Sequence, residues 1–525
     1  MWKKRFTLLI LFGLLLMVIP AQAQEAGGGG TLIGAFDVGP GGAPQVKPFF
    51  DTAGRTWLSK IWSPLVSWNA DMSALEPQLA TEWSSNEDAT IWTFKLREGV
   101  LWHDGETFDA EDVVFSLNLA LNPEAATQFP SFSQLTAEDV VEVRAVDANT
   151  VEVELAEPNP RLPFFMIFAW VLPEHALGDI NPAEYQNLDW FYTNPVGTGP
   201  FMHEEFVADQ FWTLVPNPNY WNGAPKLDRL INRYFADETT ALLALESGEI
   251  NFTYISGDVA LRLEETSSYQ IFDGPSGVTN YLIFNLRNPA FQDVRVRQAF
   301  LHAIDRQAIA ETVLKGTATV VPCISPFPAM WPDASELNDY AYDPAKAAQL
   351  LADAGYDTSS QYEIATYYNN QFHLDAMAAQ QAFLSAVGIN TVPLTQDVPT
   401  YNSYFYTGEG WDISYRGVGV NVGNFPFTFY EAGGFETADG EPLNGELFPE
   451  LQALIDSARV ETDPDAYLGL LQDICTYQNQ NALEGYMWTA VRFGAATNNL
   501  QNFYWFPAAG GGPYEDHAEL WTVGE

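Results

Sequence analysis

The residues able to do chemistry are few and badly placed for it. Gly197-Thr198-Gly199 has the glycine content of a loop that cradles phosphate, yet no Gly-Lys-Ser/Thr follows and no helix is expected to start there. The six histidines, His103, His175, His203, His302, His373 and His517, show no His-x-x-x-His spacing, so no metal centre is expected. There is no Gly-x-Ser-x-Gly elbow and no Cys-His pairing for a nucleophile. Any two of the 68 acids could lie the roughly 5 to 10 Å apart that glycoside hydrolysis needs, so their presence carries no signal. Neither an enzyme nor a cofactor is expected, and a secreted hydrolase is kept only as the reading of another class.

The elements that hold these residues are expected to belong to an exported chain. Met-Trp-Lys-Lys-Arg, the apolar run Phe6 to Ile19 and Ala21-Gln22-Ala23 read as a signal peptide over residues 1–23, and 24–30 as a glycine-rich tether. No later apolar run approaches the roughly 20 residues that span a bilayer. In an oxidising compartment disulfides persist, so Cys323 and Cys475 are expected to pair, the alternative being two buried thiols. The net charge of −45 becomes −48 without Lys3, Lys4 and Arg5. Such a surface repels phosphate backbones and anionic head groups, which argues against nucleic-acid and membrane-surface roles. The acids read as a solvated coat that keeps the protein soluble. With 525 residues, 47% of them hydrophobic, the chain has room for about three domains.

Pro77 to Leu117 is the plainest stretch. Ile91, Thr93, Lys95 and Arg97 alternate with Trp92, Phe94 and Leu96, a strand with one apolar face. Gly99 and Asp104-Gly105 supply turns, and Asp109 sits at a helix N-cap with Asp112 three residues on. Around it strands and helices alternate: a strand over Thr31 to Ala35, helix and strand pieces over Ile61 to Ser67 and Leu79 to Trp83, and a hairpin of Val140 to Val146 with Thr150 to Leu155. Further on come a helix over Glu238 to Glu246 stopped by Gly248, and one helix from the Asp293 cap to about Leu314. Tyr362 to Tyr368, Leu374 to Val387 and Asn390 to Leu394 read as strand, helix, strand with a crossover. Helices are expected over Pro449 to Glu461 and Pro464 to Tyr477.

The signature stretch resembles that of the family 5 solute-binding proteins of ABC importers, the class of the oligopeptide and dipeptide receptors. PVGTGPF at 195–201, NPNYWNGAPKLDRL at 217–230, ALESGEINF at 244–252, FNLRNPAFQDVRVRQAFLHAIDR at 284–306 and DPAKAAQLLADAGY at 343–356 match in the family's order. The resemblance implies an α/β, periplasmic-binding-protein-like fold (type II, cluster C) with two large lobes, an extra smaller domain and a hinge. It divides the chain into domain I at 31–57, 188–277 and 488–525, domain II at 58–187, and domain III at 278–487. Gly197-Thr198-Gly199 then becomes a backbone turn between lobes. No Cys stands beside the cleavage site, so the lipid-anchored form is not expected.

The same resemblance implies a monomeric receptor, periplasmic or at the cell envelope, that closes over a small solute and delivers it to the permease subunits of an ABC importer. The first ligand wall falls at Phe49, Phe50, Asp51 and Thr52, and the other within Trp411 to Phe429, with Trp411, Arg416, Val418, Asn421 and Phe425 as contacts. Peptide receptors place an Asp where this chain has Asn421, and a Trp where it has Val418. An amide cannot neutralise a peptide's free ammonium in a dry cleft, but it donates and accepts at once, which suits hydroxyls or internal amides. Peptide is therefore the expected ligand class and oligosaccharide the alternative.

Overall fold

Asp109 begins the second long helix as its pattern suggests. Its carboxylate accepts from the Glu111 amide at 2.9 Å, and Asp112 returns the bond by accepting from the Asp109 amide at 3.1 Å, a complete capping box. In the computed structural model, which describes residues 28–36, 48, 55–69, 74–127, 135–325, 327–369, 371–406, 410–419, 448–505 and 515–524, this helix (α2, Ala110–Leu121) follows α1 (Arg55–Ile61).

The first strands are β1 (Thr31–Ala35), the pair β2 (Val66–Trp68) and β3 (Leu75–Pro77), and then β4 (Ala80–Ser85), β5 (Ile91–Leu96), β6 (Val140–Asp147) and β7 (Thr150–Leu155). The last four form an antiparallel sheet in the order β4-β5-β7-β6. Trp92, Phe94 and Leu96 point into its core, as their alternation requires.

The helix expected over Ile61 to Ser67 lies earlier. Its last turn closes with the Trp62 amide on the Leu58 carbonyl at 2.9 Å; Pro64 has no N–H to continue it, and the chain goes into β2 instead.

The large sheet is mixed and, among the described residues, 11-stranded. It uses β1 with β8 (Phe201–Val207), β9 (Phe211–Pro216), β10 (Arg229–Arg233), β11 (Phe252–Ile255), β12 (Tyr269–Phe284), β13 (Ala318–Val320), β14 (Gln361–Thr366), β15 (Asn390–Thr395), β16 (Ile413–Gly419) and β17 (Gly485–Thr497). The order is β15-β14-β16-β12-β17-β11-β1-β10-β9-β8, with β13 on β17. β1 lies inside this sheet, parallel to both β10 and β11.

β12 and β17 carry the sheet across its middle. One end of β12 pairs β16, one end of β17 pairs β11, and the two pair each other from Tyr269↔Thr497 to Leu282↔Gly485. Their ladder breaks between Pro275 and Thr279, where Gly277 takes a φ of 67°, a backbone state that glycine adopts without strain.

Helices flank both halves: α3 (Glu238–Glu246), α4 (Gly257–Glu264), α5 (Val294–Ala303), α6 (Pro344–Asp353), α7 (Gln371–Ala386), α8 (Val398–Tyr406), α9 (Pro449–Val460) and α10 (Pro464–Gln480). The single helix expected from Asp293 to Leu314 is broken at Ile304, which is extended. Asp305 there accepts from the Ala308 amide and caps a new helix; a second capping aspartate wins over helix propagation. β14 and β15 are parallel and joined through α7, as expected.

Two large cores result. One runs through Trp57, Phe94, Trp102, Val113, Trp212, Phe252 and Trp521, and the other, among the described residues, is built only from those between Tyr281 and Trp488. Cys323 and Cys475 form a disulfide inside the second.

Candidate functional site

Of the expected ligand residues, Arg416 and Val418 lie on β16 and Trp411 just before it. Phe49, Phe50, Asp51, Thr52, Asn421 and Phe425 lie outside the described residues. Trp411 enters β16 from the core. It is 4% exposed, stacks on Phe405 with ring centroids 4.9 Å apart, donates its indole N–H to the Phe405 carbonyl at 3.1 Å, and its own carbonyl accepts from Asn285 at 2.7 Å. Trp411, expected on the ligand wall, is buried here and anchors the entry of β16 through these contacts.

Arg416 and Val418 follow on one face of β16, since alternate residues share a face. Arg416 is half-buried, with its guanidinium 5.1 Å from the Phe405 ring and Tyr281 opposite it on β12. Val418 faces Thr279, which in turn faces Thr489 of β17.

Between them Gly417 has no room for a side chain. A Cβ there would run into the Tyr368 hydroxyl and lie 2.8 Å from Val278 Cγ1 and 3.4 Å from Asn280 Oδ1. The backbone of β16 is thereby held against a polar and aromatic neighbourhood.

That neighbourhood was not legible from spacing. Tyr368 lies flat on His373, ring centroids 3.5 Å apart, and His373 Nδ1 is 3.0 Å from the Tyr415 hydroxyl. Burial pushes the His373 imidazole down to about 4, so it is uncharged at neutral pH. Burial likewise raises Tyr368, with Tyr367 adding to the shift and Arg416 opposing it. On the other side of the crossing strands, exposed Arg492 lays its guanidinium 4.2 Å from the Tyr254 ring. Its only sequence signal was an arginine in a strand of aromatics. The side chains described around β16 and the crossing strands are thus rings, hydroxyls, amides and guanidiniums, groups able to stack on and hydrogen-bond a solute.

The remaining motifs are structural. Gly197 and Gly199 lie against the end of α1, where a Cβ on Gly197 would meet the Ile61 carbonyl oxygen and one on Gly199 would lie 2.6 Å from the Ile61 carbonyl carbon. The Gly199 amide donates to Ile61 at 2.8 Å, so the two glycines serve a close backbone crossing, and a strand rather than a helix follows. His103 locks this turn: its Nδ1 accepts from the Gly197 amide at 3.1 Å and its Nε2–H donates to the Gly199 carbonyl at 3.0 Å. Burial takes that imidazole to about 4, consistent with the neutral tautomer.

Among the described residues, no group of three His, Cys, Asp or Glu could hold a metal ion, and no helix is long and apolar enough to cross a membrane. A hollow of about 580 Å³ lies on the β1, β8, β9 and β10 face, at the far end of the sheet from β16. Its arginines are already engaged, Arg229 with Glu204 at 2.6 Å and Arg233 with Glu249, so little charge is left there for a ligand.

Comparison with known proteins gives a consistent result. The family model described as bacterial extracellular solute-binding proteins, family 5, matches residues 74–439. A putative ABC transporter peptide-binding protein of Brucella melitensis is 37% identical, over 98% of this chain and 97% of its own. The dipeptide-binding protein of Escherichia coli is 28% identical, over 88% of this chain and 89% of its own. Among solved structures, an ABC transporter substrate-binding protein of Listeria monocytogenes superimposes with a TM-score of 0.82 at 23% identity, covering 95% of this chain and 100% of that one.

Proposed function

Because the chain belongs to the bacterial extracellular solute-binding proteins of family 5, we propose that it is an exported, monomeric receptor that binds a peptide, closes over it and delivers it to the permease subunits of an ABC importer. The observation that carries the mechanical part is the pair β12 and β17. Two strands side by side join the halves of the sheet, and their ladder is broken at Gly277. Such a connection bends without letting one half drift, which favours two discrete states. A solute that touches both sides binds the closed state better and shifts the population toward it.

The division into domain I at 31–57, 188–277 and 488–525, domain II at 58–187 and domain III at 278–487 follows this reading. It is supported by the core confined between Tyr281 and Trp488. Peptide is preferred because the full-length relative of Brucella melitensis is named for peptide binding. Asn421 in place of the acid favours the oligosaccharide reading, and no nucleophile and base pairing supports catalysis.

Native mass spectrometry of the protein as purified tests this. Retained masses that fragment as peptides are expected. A hexose series would replace peptide by oligosaccharide, and turnover of a peptide or glycoside substrate by the purified chain would remove the receptor reading.

A further inference from the structure

Away from the crossing strands, the two parts of the molecule meet a second time. Trp68 ends β2 opposite Leu75 of β3, and Phe164 and Ile167 lie in the helical turns of Leu162–Phe168. Trp68, 8% exposed, stacks on Phe164 with ring centroids 5.4 Å apart. These four form a small apolar cluster around Trp68, in which Leu75 and Ile167 also pack on the first large core, and its fifth member, Phe327, comes from the other part of the chain. Phe327 belongs to the proline-rich loop after β13 and also packs on the core between Tyr281 and Trp488.

Close by in sequence to Phe164, Arg161 is 6% exposed with its guanidinium 5.5 Å from the Phe165 ring. Its charge is felt by Tyr467 of α10 and Arg459 of α9. Burial pulls Arg161 down to about 10, with Tyr467 favouring its charge and Arg459 opposing it.

The loop that carries Phe327 is firmly mounted. Phe327 follows Cys323 closely, Tyr467 precedes Cys475 by about two helical turns, and the disulfide ties that loop to that helix. The loop is braced further by the Trp331 indole donating to the Ser325 carbonyl at 2.9 Å and the Phe327 amide donating to Ser325 Oγ at 3.2 Å.

We propose that Phe327 seated on Trp68 and Phe164 is a latch that holds the 58–187 segment to the 278–487 segment and so sets ligand affinity without touching ligand. This rests on the reading of the protein as a receptor whose lobes close. The latch is small and its fit is imperfect: the Trp68 indole N–H is buried with no hydrogen-bond partner among the described residues, a cost that keeps it reversible. Apparent affinity scales with the fraction of molecules in the competent state, so positioning residues in a latch change affinity through that fraction.

The test is a distance measurement on the full chain. The described cysteines are both in the disulfide, and Val141 and Val460, 61% and 55% exposed on opposite sides of the latch, accept spin labels as V141C and V460C. Pulsed electron resonance is recorded without ligand and with a mixture of synthetic peptides of three to nine residues. In the ligand-free protein, Phe327→Ala should lower the short-to-long population ratio on the order of tenfold. Trp68→Leu, made from the other side, should do the same, while Phe327→Tyr retains the short distance and all three keep a cooperative melt. An unchanged distribution in Phe327→Ala and Trp68→Leu overturns the latch. So does a parent protein with no short distance in either condition. Peptides that neither bind nor shift the parent distribution count against the receptor reading, while the ligand-free comparison still decides the latch.

Discussion

Glu484 is 1% exposed and stands just before β17, with the Tyr486 hydroxyl donating to its carboxylate. Burial lifts its carboxyl from 4.5 to about 7, against the opposing pull of Tyr486 and of Arg297. Arg297 spends its own donors on the carbonyls of Phe291, Gln292, Asn481 and Ala482, so it answers the carboxylate only at a distance. A folded value above the unfolded one means that this group's contribution is fully present below pH 4.5 and lost as pH rises through 7. The span is worth on the order of 3 kcal/mol. Glu484→Gln should flatten that dependence, and urea midpoints of both proteins at pH 5 and pH 8 check it; parallel slopes would assign the pH dependence elsewhere. Gly197 gives a second expectation at this scale. Gly197→Ala forces a methyl into the Ile61 carbonyl and should cost several kcal/mol, visible as loss of soluble protein. Glu484 was not singled out by its sequence context, being an acid among 68; Gly197 was marked as part of a backbone turn, but its close approach to Ile61 was not, because it joins segments far apart in the chain.

Helices and strands were legible wherever the signal was local. The capping box at Asp109, the alternation of Trp92, Phe94 and Leu96 and the two-residue turn of the β6-β7 hairpin all involve neighbours in the chain. The errors arose where a local rule met a competitor: Pro64 ended α1 early, and Asp305 started a new helix inside a continuous apolar pattern. The surroundings of β16 and the crossing strands were less legible because Tyr254, Tyr368 and Arg492 come from separate strands and loops. Two outcomes test the elements themselves. Gly469 lies inside α10 with open space where a Cβ would go, so Gly469→Ala should stabilise by up to about 1 kcal/mol in chemical denaturation. The Cys323–Cys475 bridge closes a loop of 152 residues, worth about 5 kcal/mol in the chain-entropy model and often less in practice. Cys323→Ser with Cys475→Ser should lower the guanidinium midpoint, and an unchanged midpoint would mean the unfolded chain is not restrained by the bridge.

For the molecule as a whole, the expected motion is a bend about β12 and β17. Small-angle scattering with a bound peptide should show a smaller radius of gyration than without it. The same radius at saturation, with binding confirmed by calorimetry, would leave a rigid pocket. The acidic coat should contribute little to this transition at physiological salt, because exposed charges are screened within about 8 Å. Repeating the titration at high salt should leave the affinity for a neutral, end-blocked peptide nearly unchanged.

The inner position of β1 also has a consequence in time. The strand that is synthesised first cannot be paired until β10 and β11 exist, and β11 in turn waits for β17 near the end of the chain. At roughly 5–20 residues per second, the interval between making β1 and β10 is about 10–40 s. The β4 to β7 sheet, whose strands lie close together in the chain, can form during that interval, while the large sheet stays open. That order of pairing suits the export proposed above, because the large sheet stays threadable until its last strands are made.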